Sequence, residues 1–161
     1  MFSRIENLSP KKLVGKCLTM SFINDQTPIL WRSFMPHRRE IQNIVSNDLY
    51  SMQIYGETLD YFNINPAKEF TKWAVIEVND FENIPDGMQS YELSGGLYAI
   101  FIHKGTASEF AKTFNYIFGE WIPDSEYEVD NREHFEIINE GYSPTDPNSE
   151  EEVWIPIKPK S

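Results

Sequence analysis

Cysteine is nearly missing from this chain. Cys17 is the only one, so no disulfide can form within it, and the sequence fits a reducing compartment, most simply the cytoplasm. Cys17 sits in an apolar, strand-like run and reads as a small core residue, not a nucleophile. Histidine is almost as scarce. His37, His103 and His134 are scattered, with no pair at the spacing of a metal site, so neither a metal nor another cofactor is expected. Glycine-rich phosphate loops, dinucleotide fingerprints and the nucleophile-elbow motif are missing too. Basic residues are outnumbered, 14 against 25 acidic ones for a net charge of −11. That balance excludes the basic face needed for direct nucleic-acid binding and disfavours anionic membranes. It suits a cationic ligand or a basic protein partner, besides plain solubility. Long hydrophobic runs are lacking as well. The longest, Leu97 to Ile102, is far too short to cross a bilayer, and the first residues carry no apolar signal region.

Aromatic residues are plentiful: 4 Trp, 8 Tyr and 11 Phe in 161 residues. The length suits one domain, or two small halves sharing a core. Lys12 to Phe22 has strand character. Thr27 can cap a helix with Pro28 at its first position, and Leu30, Phe34, Ile41 and Val45 fall near one helical face, with a kink or break expected at Pro36. A strand over Leu49 to Tyr55 sets Leu49, Ser51, Gln53 and Tyr55 against Tyr50, Met52 and Ile54, and another covers Lys72 to Val78. The pattern then repeats. Leu97 to His103 is a strand, and Thr106-Ala107-Ser108-Glu109 is a capping box. Phe110, Phe114, Ile117, Phe118 and Trp121 form an amphipathic helix face, which Pro123 closes. His134 to Ile138 and Val153 to Ile157 are the last strands, and Pro156 marks an edge or a bulge.

Each half therefore reads as strand, helix, strand, strand, with Trp73-Ala74-Val75 and Trp154-Ile155-Pro156 in equivalent places. The expected fold is α+β: duplicated β-α-β-β units related by a pseudo-two-fold, antiparallel sheets with two main helices, and a central ligand cleft. One domain spans residues 1–161, half 1 over about 1–85 and half 2 over about 86–161.

The most telling stretch is His134-Phe135-Glu136-Ile137-Ile138. Glu136 shares a strand face with His134 and Ile138. A carboxylate in an apolar strand is solvated, paired, or kept for a ligand. Among so many aromatics it has the chemistry of a receptor for lipophilic cations. Tyr98, Phe118 and Trp121 read first as core residues and second as pocket walls. Trp31 and Trp154 are better pocket candidates, because an indole N–H suits a wet edge. From Glu120 to Glu152 twelve acidic residues accompany one basic residue, Arg132, which reads as a solvated face.

These residues resemble a known family. Gly96-Leu97-Tyr98-Ala99-Ile100-Phe101 with His103-Lys104-Gly105, Tyr116 to Pro123, His134-Phe135-Glu136 and Val153 to Lys158 resemble, in order, segments of the GyrI-like family. This is the bacterial effector-binding domain attached to AraC- and MerR-type transcription regulators. The resemblance is strongest from Ser94 to Lys158 and looser through Leu30-Trp31 and Phe34-Met35. It implies a duplicated β-α-β-β fold that holds hydrophobic, often cationic small molecules, with Glu136 as the key acidic group, Ile138 on its face, and Trp31 and Trp154 at pocket positions. The chain departs from those regulators in that the effector-binding unit takes up all 161 residues, so a stand-alone member with no DNA-binding domain and no direct contact with nucleic acid is expected. Ligand binding without catalysis is the first expectation. The alternatives are a small hydrolase of reactive cyclopropyl compounds using Glu136, and a gyrase-inhibitor-like interaction protein.

Overall fold

A computed structural model describes residues 1–139 and 141–161. The strands are β1 (Phe2–Leu8), β2 (Lys11–Met20), β3 (Ile44–Ile54), β4 (Phe70–Val78), β5 (Gln89–Leu93), β6 (Gly96–Lys104), β7 (Tyr127–Val129), β8 (His134–Ile138) and β9 (Glu150–Pro159). The main helices are α1 (Thr27–Phe34) and α2 (Phe110–Tyr116). All pairings are antiparallel, in the spatial order β1-β6-β9-β8-β3-β4-β2-β5, with β7 added on β9.

This order contains the duplication. Half 1 runs β2-α1-β3-β4 and half 2 runs β6-α2-β8-β9, and in space each half is ordered first strand, last strand, middle strand. The halves join where β3 pairs with β8, Met52 lying opposite Phe135. Met52 is also opposite Trp73 in β4, as Phe135 is opposite Trp154 in β9. A pseudo-two-fold through the Met52–Phe135 pair therefore makes Trp73 and Trp154 equivalent. It also makes Gln53 the mate of Glu136 and Lys72 the mate of Val153.

Two strands absent from the sequence reading complete the symmetry. β1 precedes β2 but pairs with β6, and β5 precedes β6 but pairs with β2. Each half thus lends its leading strand to the other. Ser9 and Pro10 alone join β1 to β2, and Ser94 and Gly95 alone join β5 to β6. Two residues reach only about 7 Å, yet they link strands at opposite ends of the sheet order. The sheet must curl until its ends meet. One cluster on its inner face accordingly gathers Leu13, Tyr50, Met52, Trp73, Leu93, Tyr98, Phe135 and Trp154. Glu133 fastens the seam by accepting hydrogen bonds from Tyr91 Oη at 2.9 Å and Ser94 Oγ at 2.8 Å.

Both helices lie on the outer face. α1 buries Leu30 and Phe34 against Val14, Ala74 and Ile76; α2 and the turns after it cover Ala99, Phe101, Val153 and Ile155 with Ile117 and Phe118. The apolar stripe expected through Val45 stops early. α1 ends at Phe34, and Met35–Glu40 tighten into a 3-10 turn around Pro36, whose ring removes a helical donor. Ile41 follows that turn, and Val45 is exposed within β3. Thr27 is the first residue of α1 and not its cap; Asp25 Oδ1 accepts from the Thr27 amide at 3.0 Å. The second helical region does open on its capping box, the Thr106 amide donating to Glu109 Oε1 at 3.2 Å. Pro156 lies inside the sheet, not on an edge or in a bulge, because β9 is paired with β6 throughout this stretch. On the other side it falls where β9's partner changes from β8 to β7, so its missing N–H disrupts no ladder.

Gly95 is where the two straps touch. Its φ is +80°, and a Cβ there would sit 2.4 Å from Leu8 O. Gly95→Ala is expected to lower stability by about 2–3 kcal/mol, read as a lower urea midpoint at unchanged slope. Gly87, with φ +82° and nothing within 4 Å of a Cβ, isolates the backbone strain alone, about 1 kcal/mol. Equal losses in Gly87→Ala and Gly95→Ala would remove strap contact as the cause.

Candidate functional site

Between the two helices the outer face of the sheet is left uncovered, and a cleft of about 400 Å³ opens there. Its floor is built by strand alternation. Gln53 on β3, Lys72 on β4, His134 and Glu136 on β8, and Val153 and Ile155 on β9 all project from the same face. One wall is aromatic and belongs to half 1: Phe22, Tyr55 and Phe70, with Phe22 and Tyr55 each 5.2 Å from Phe70 between ring centroids. The opposite wall is Phe110, Phe114 and Phe118, four residues apart along α2 and its continuation, so that they stack up one side. Phe114 and Phe118 are 4.6 Å apart, and Tyr61 stacks on Phe118 at 5.9 Å with a 2.7 Å hydrogen bond to Asn115 Oδ1. The segment around Tyr61, from half 1, thereby braces the helix of half 2.

Glu136 stands half-buried on this floor. It accepts a 3.3 Å hydrogen bond from Gln53 Nε2, its symmetry mate. Burial raises its pKa, against the smaller opposing effects of the Lys72 charge and the Gln53 bond. Glu151 lies on the same face one register step away, since Val153 is opposite Glu136 and Glu151 opposite Ile138. Burial and the neighbouring Glu136 charge push Glu151 up to about 8, with Lys72 pulling the other way. Tyr55 is held strongly towards its neutral phenol by burial and by Glu136. Tyr142 is raised to about 12 by burial, Glu151 and Glu136. His134 is buried between rings, edge-on to Tyr55 at 4.9 Å and stacked with Phe118 at 6.2 Å. Burial, helped by Arg132, lowers it to about 3, so it is a neutral, aromatic part of the floor near pH 7. At the rim, burial alone would raise Asp25, but hydrogen bonds from the Thr27 hydroxyl and amide and the charge of Lys72 outweigh it and hold the carboxylate ionised.

The seven residues singled out in the sequence do not converge. Glu136 and Phe118 line the cleft. Ile138 shares the strand face of Glu136 but packs into the core beneath α1, where Trp31 also lies, edge-on to Phe34 at 5.9 Å. Tyr98 and Trp154 are buried on the inner face, behind the sheet from the cleft. Tyr98 Oη donates to Glu133 O, and Trp154 stacks on Phe135 at 5.1 Å. Trp121 lies on the far side of the helical region, against Phe2 and Phe101. The cleft aromatics that sequence reasoning passed over are Phe22, Tyr55 and Phe70, along with Phe110 and Phe114, which it placed on an amphipathic helix face without assigning them to a pocket. For Tyr55 the signal was present: it follows Gln53 and Ser51 at alternate positions and so belongs to their face.

Among the described residues no group of three or more His, Cys, Asp or Glu converges as metal ligands do. Among them, too, no helix is long and apolar enough to cross a membrane. The arrangement offers an aromatic slot with a shielded carboxylate at its base. That can stabilise a flat or bulky cation by charge and by contact with ring faces.

Comparison with known proteins agrees with this architecture. The chain is 29% identical over 158 residues to the transcriptional regulator BrlR of Pseudomonas aeruginosa, a match that covers 98% of this chain and 56% of that protein, so the chain spans little more than half of its relative's length. The fold is shared with SAV2435 bound to tetraphenylphosphonium (TM-score 0.68, 16% identity, 98% of this chain and 94% of that one). It is shared equally with the C-terminal domain of EcmrR (TM-score 0.69, 13% identity, 99% of both chains). Residues 1–158 match the GyrI-like small molecule binding domain, and the chain belongs to that family.

Proposed function

We propose that this domain captures a lipophilic aromatic cation in the cleft between its helices, with Glu136 as the counter-charge. The observation that carries the reading is the placement of that carboxylate: half-buried, tethered by one amide, and set between two aromatic walls. An ionised carboxylate in such a place lacks the hydration that water would supply. A cation whose charge is spread over rings gives up little hydration on entering and restores the balance. The relative solved with tetraphenylphosphonium holds a ligand of this class. Its kinship with a transcriptional regulator makes ligand sensing the biological setting we favour, with any contact to DNA or gyrase left to other parts or partners. Phe118 and its neighbours supply ring faces; Tyr55 and His134, both neutral, add aromatic surface without competing for the ligand's charge.

Tetraphenylphosphonium is the simplest probe because its charge does not vary with pH. At an effective dielectric near 20, a cation about 5–6 Å from Glu136 gains about 3 kcal/mol. Glu136→Gln is therefore expected to weaken binding by roughly 100- to 250-fold in titration calorimetry. Unchanged affinity would reject Glu136 as the counter-charge.

The pH dependence has a definite sign. Both acids on this face have raised pKa values, Glu151 to about 8, and only their ionised forms attract the ligand. Affinity for tetraphenylphosphonium is expected to climb as pH rises from 5 to 8 and to be lost on the acid side. Glu151→Gln is expected to flatten the upper part of that climb. A flat profile in the unmodified protein would contradict the assignment.

A further inference from the structure

The cleft that faces a cation also contains a cation of its own. Lys72 lines it from β4. The side chain is half-buried, and among the described residues no carboxylate lies within 4 Å of its ammonium. A lysine at a site meant only for cations repels the ligand directly, and its field reaches across the cleft, since it lowers the pKa of Asp25, Glu136 and Glu151 alike. It is also not imposed by the fold, because its pseudo-two-fold mate on β9 is Val153, on the same floor. A hydrophobic residue fits this position in the other half.

The register fixes where the two charges stand. Lys72 is opposite Gln53, Gln53 is opposite His134, and Glu136 is two residues further along β8. The backbones of Lys72 and Glu136 are thus two strand spacings apart across the sheet and two residues apart along it, about 12 Å in all, with the Gln53 amide and the neutral His134 ring between them. The groups facing Lys72 are accounted for. Asp25, from the segment before α1, is engaged by the Thr27 amide and hydroxyl. Glu136 on β8 is engaged by Gln53, Glu151 on β9 lies beyond it, and Tyr55 after β3 is neutral. The floor therefore carries a negative end and a positive end, with aromatic walls on either side.

We propose that Lys72 makes this cleft selective for amphoteric aromatic compounds, its ammonium receiving a ligand carboxylate while Glu136 receives the cationic group. The inference rests on the cation-binding reading above and narrows the ligand class. A pure cation meets repulsion from Lys72. A molecule carrying an amine or iminium at one end and a carboxylate about one ring system away satisfies both ends, and its own rings fill the space between Phe70 and Phe114. The dipole of the floor would also orient such a ligand, cation towards half 2.

A matched pair of dyes tests this on the full chain: a rhodamine free acid, a zwitterion at neutral pH, and its methyl ester, a monocation with the same ring system. Binding is followed by fluorescence polarisation. In the unmodified protein the acid is expected to bind at least as tightly as the ester; weaker binding of the acid overturns the proposal. Lys72→Met is expected to lower the acid-to-ester affinity ratio roughly tenfold or more, with the ester bound as well as before or better, while Lys72→Arg preserves the ratio. An unchanged ratio in Lys72→Met overturns the role of Lys72, and Lys72→Gln supplies the same reading should the methionine variant fail to fold. Glu136→Gln separates the two levels. If it leaves ester affinity intact, the counter-charge reading fails, whereas the Lys72 ratio fails only on its own measurement. Failure of both dyes to bind the unmodified protein overturns both.

Discussion

The structure depends on the short reach of two connections. Ser9-Pro10 and Ser94-Gly95 must each join strands from opposite ends of the sheet order, and a two-residue link leaves no freedom in how that is done. The sheet curls, its inner face closes on Tyr98, Phe135 and the two equivalent tryptophans, and the helices are displaced to the outer face. There each helix covers the three-stranded core of its own half. The end of the β3–β8 junction that carries Gln53, His134 and Glu136 is covered by neither, and the cleft is the space left over, whereas Leu49 and Ile138 at its other end lie beneath α1. It needs no special device to stay open, because the pseudo-symmetry places the helices on either side of the axis and the braced ring of Tyr61 holds the second one in position.

Strands with alternating burial were legible in the sequence. The facing sets on β3 and β8 come out as read, Ser51 and Gln53 with Glu136 and His134 on one side, Met52 and Phe135 on the other. β1 was not legible because it is exposed along most of its length and mixes charges with apolar residues, so no period of two is visible; β5 sets only Tyr91 and Leu93 against Ser90 and Glu92, and β7 has three residues, too few to show a period. The duplicated unit therefore looked like four elements instead of five, and the exchange of leading strands was hidden. The pocket residues divide for a related reason. Glu136 could be found because a carboxylate in an apolar strand is anomalous by itself. Trp154 and Tyr98 could not be assigned a side without knowing that Trp154 pairs with Phe135 and Tyr98 with Pro156, a register that puts both inside. Trp31 lies under the cover of α1, where an aromatic ring serves packing.

Electrostatics in the cleft follows from how few neighbours each charge has. Glu136 has one amide, Lys72 has only distant carboxylates, and Glu151 has another acid beside it. Elsewhere charges are well supplied. Arg132 donates to Asp130 and to the carbonyls of Gly95, Leu97 and Ile157 while lying over the Tyr98 ring at 4.8 Å. The contrast separates a charge that is spent on holding the seam from charges that are left available.

The pairing of Gln53 with Glu136 across the pseudo-two-fold has one more consequence. A cleft with true two-fold symmetry would accept any guest in two equivalent poses, and a protein reading such a site could not distinguish head from tail. Replacing one carboxylate by its amide, and one valine by lysine, removes that degeneracy while keeping the backbone of the duplicated frame intact. The fold thus retains the economy of a repeated unit, while a few side chains near the axis make the two ends of the cleft chemically different.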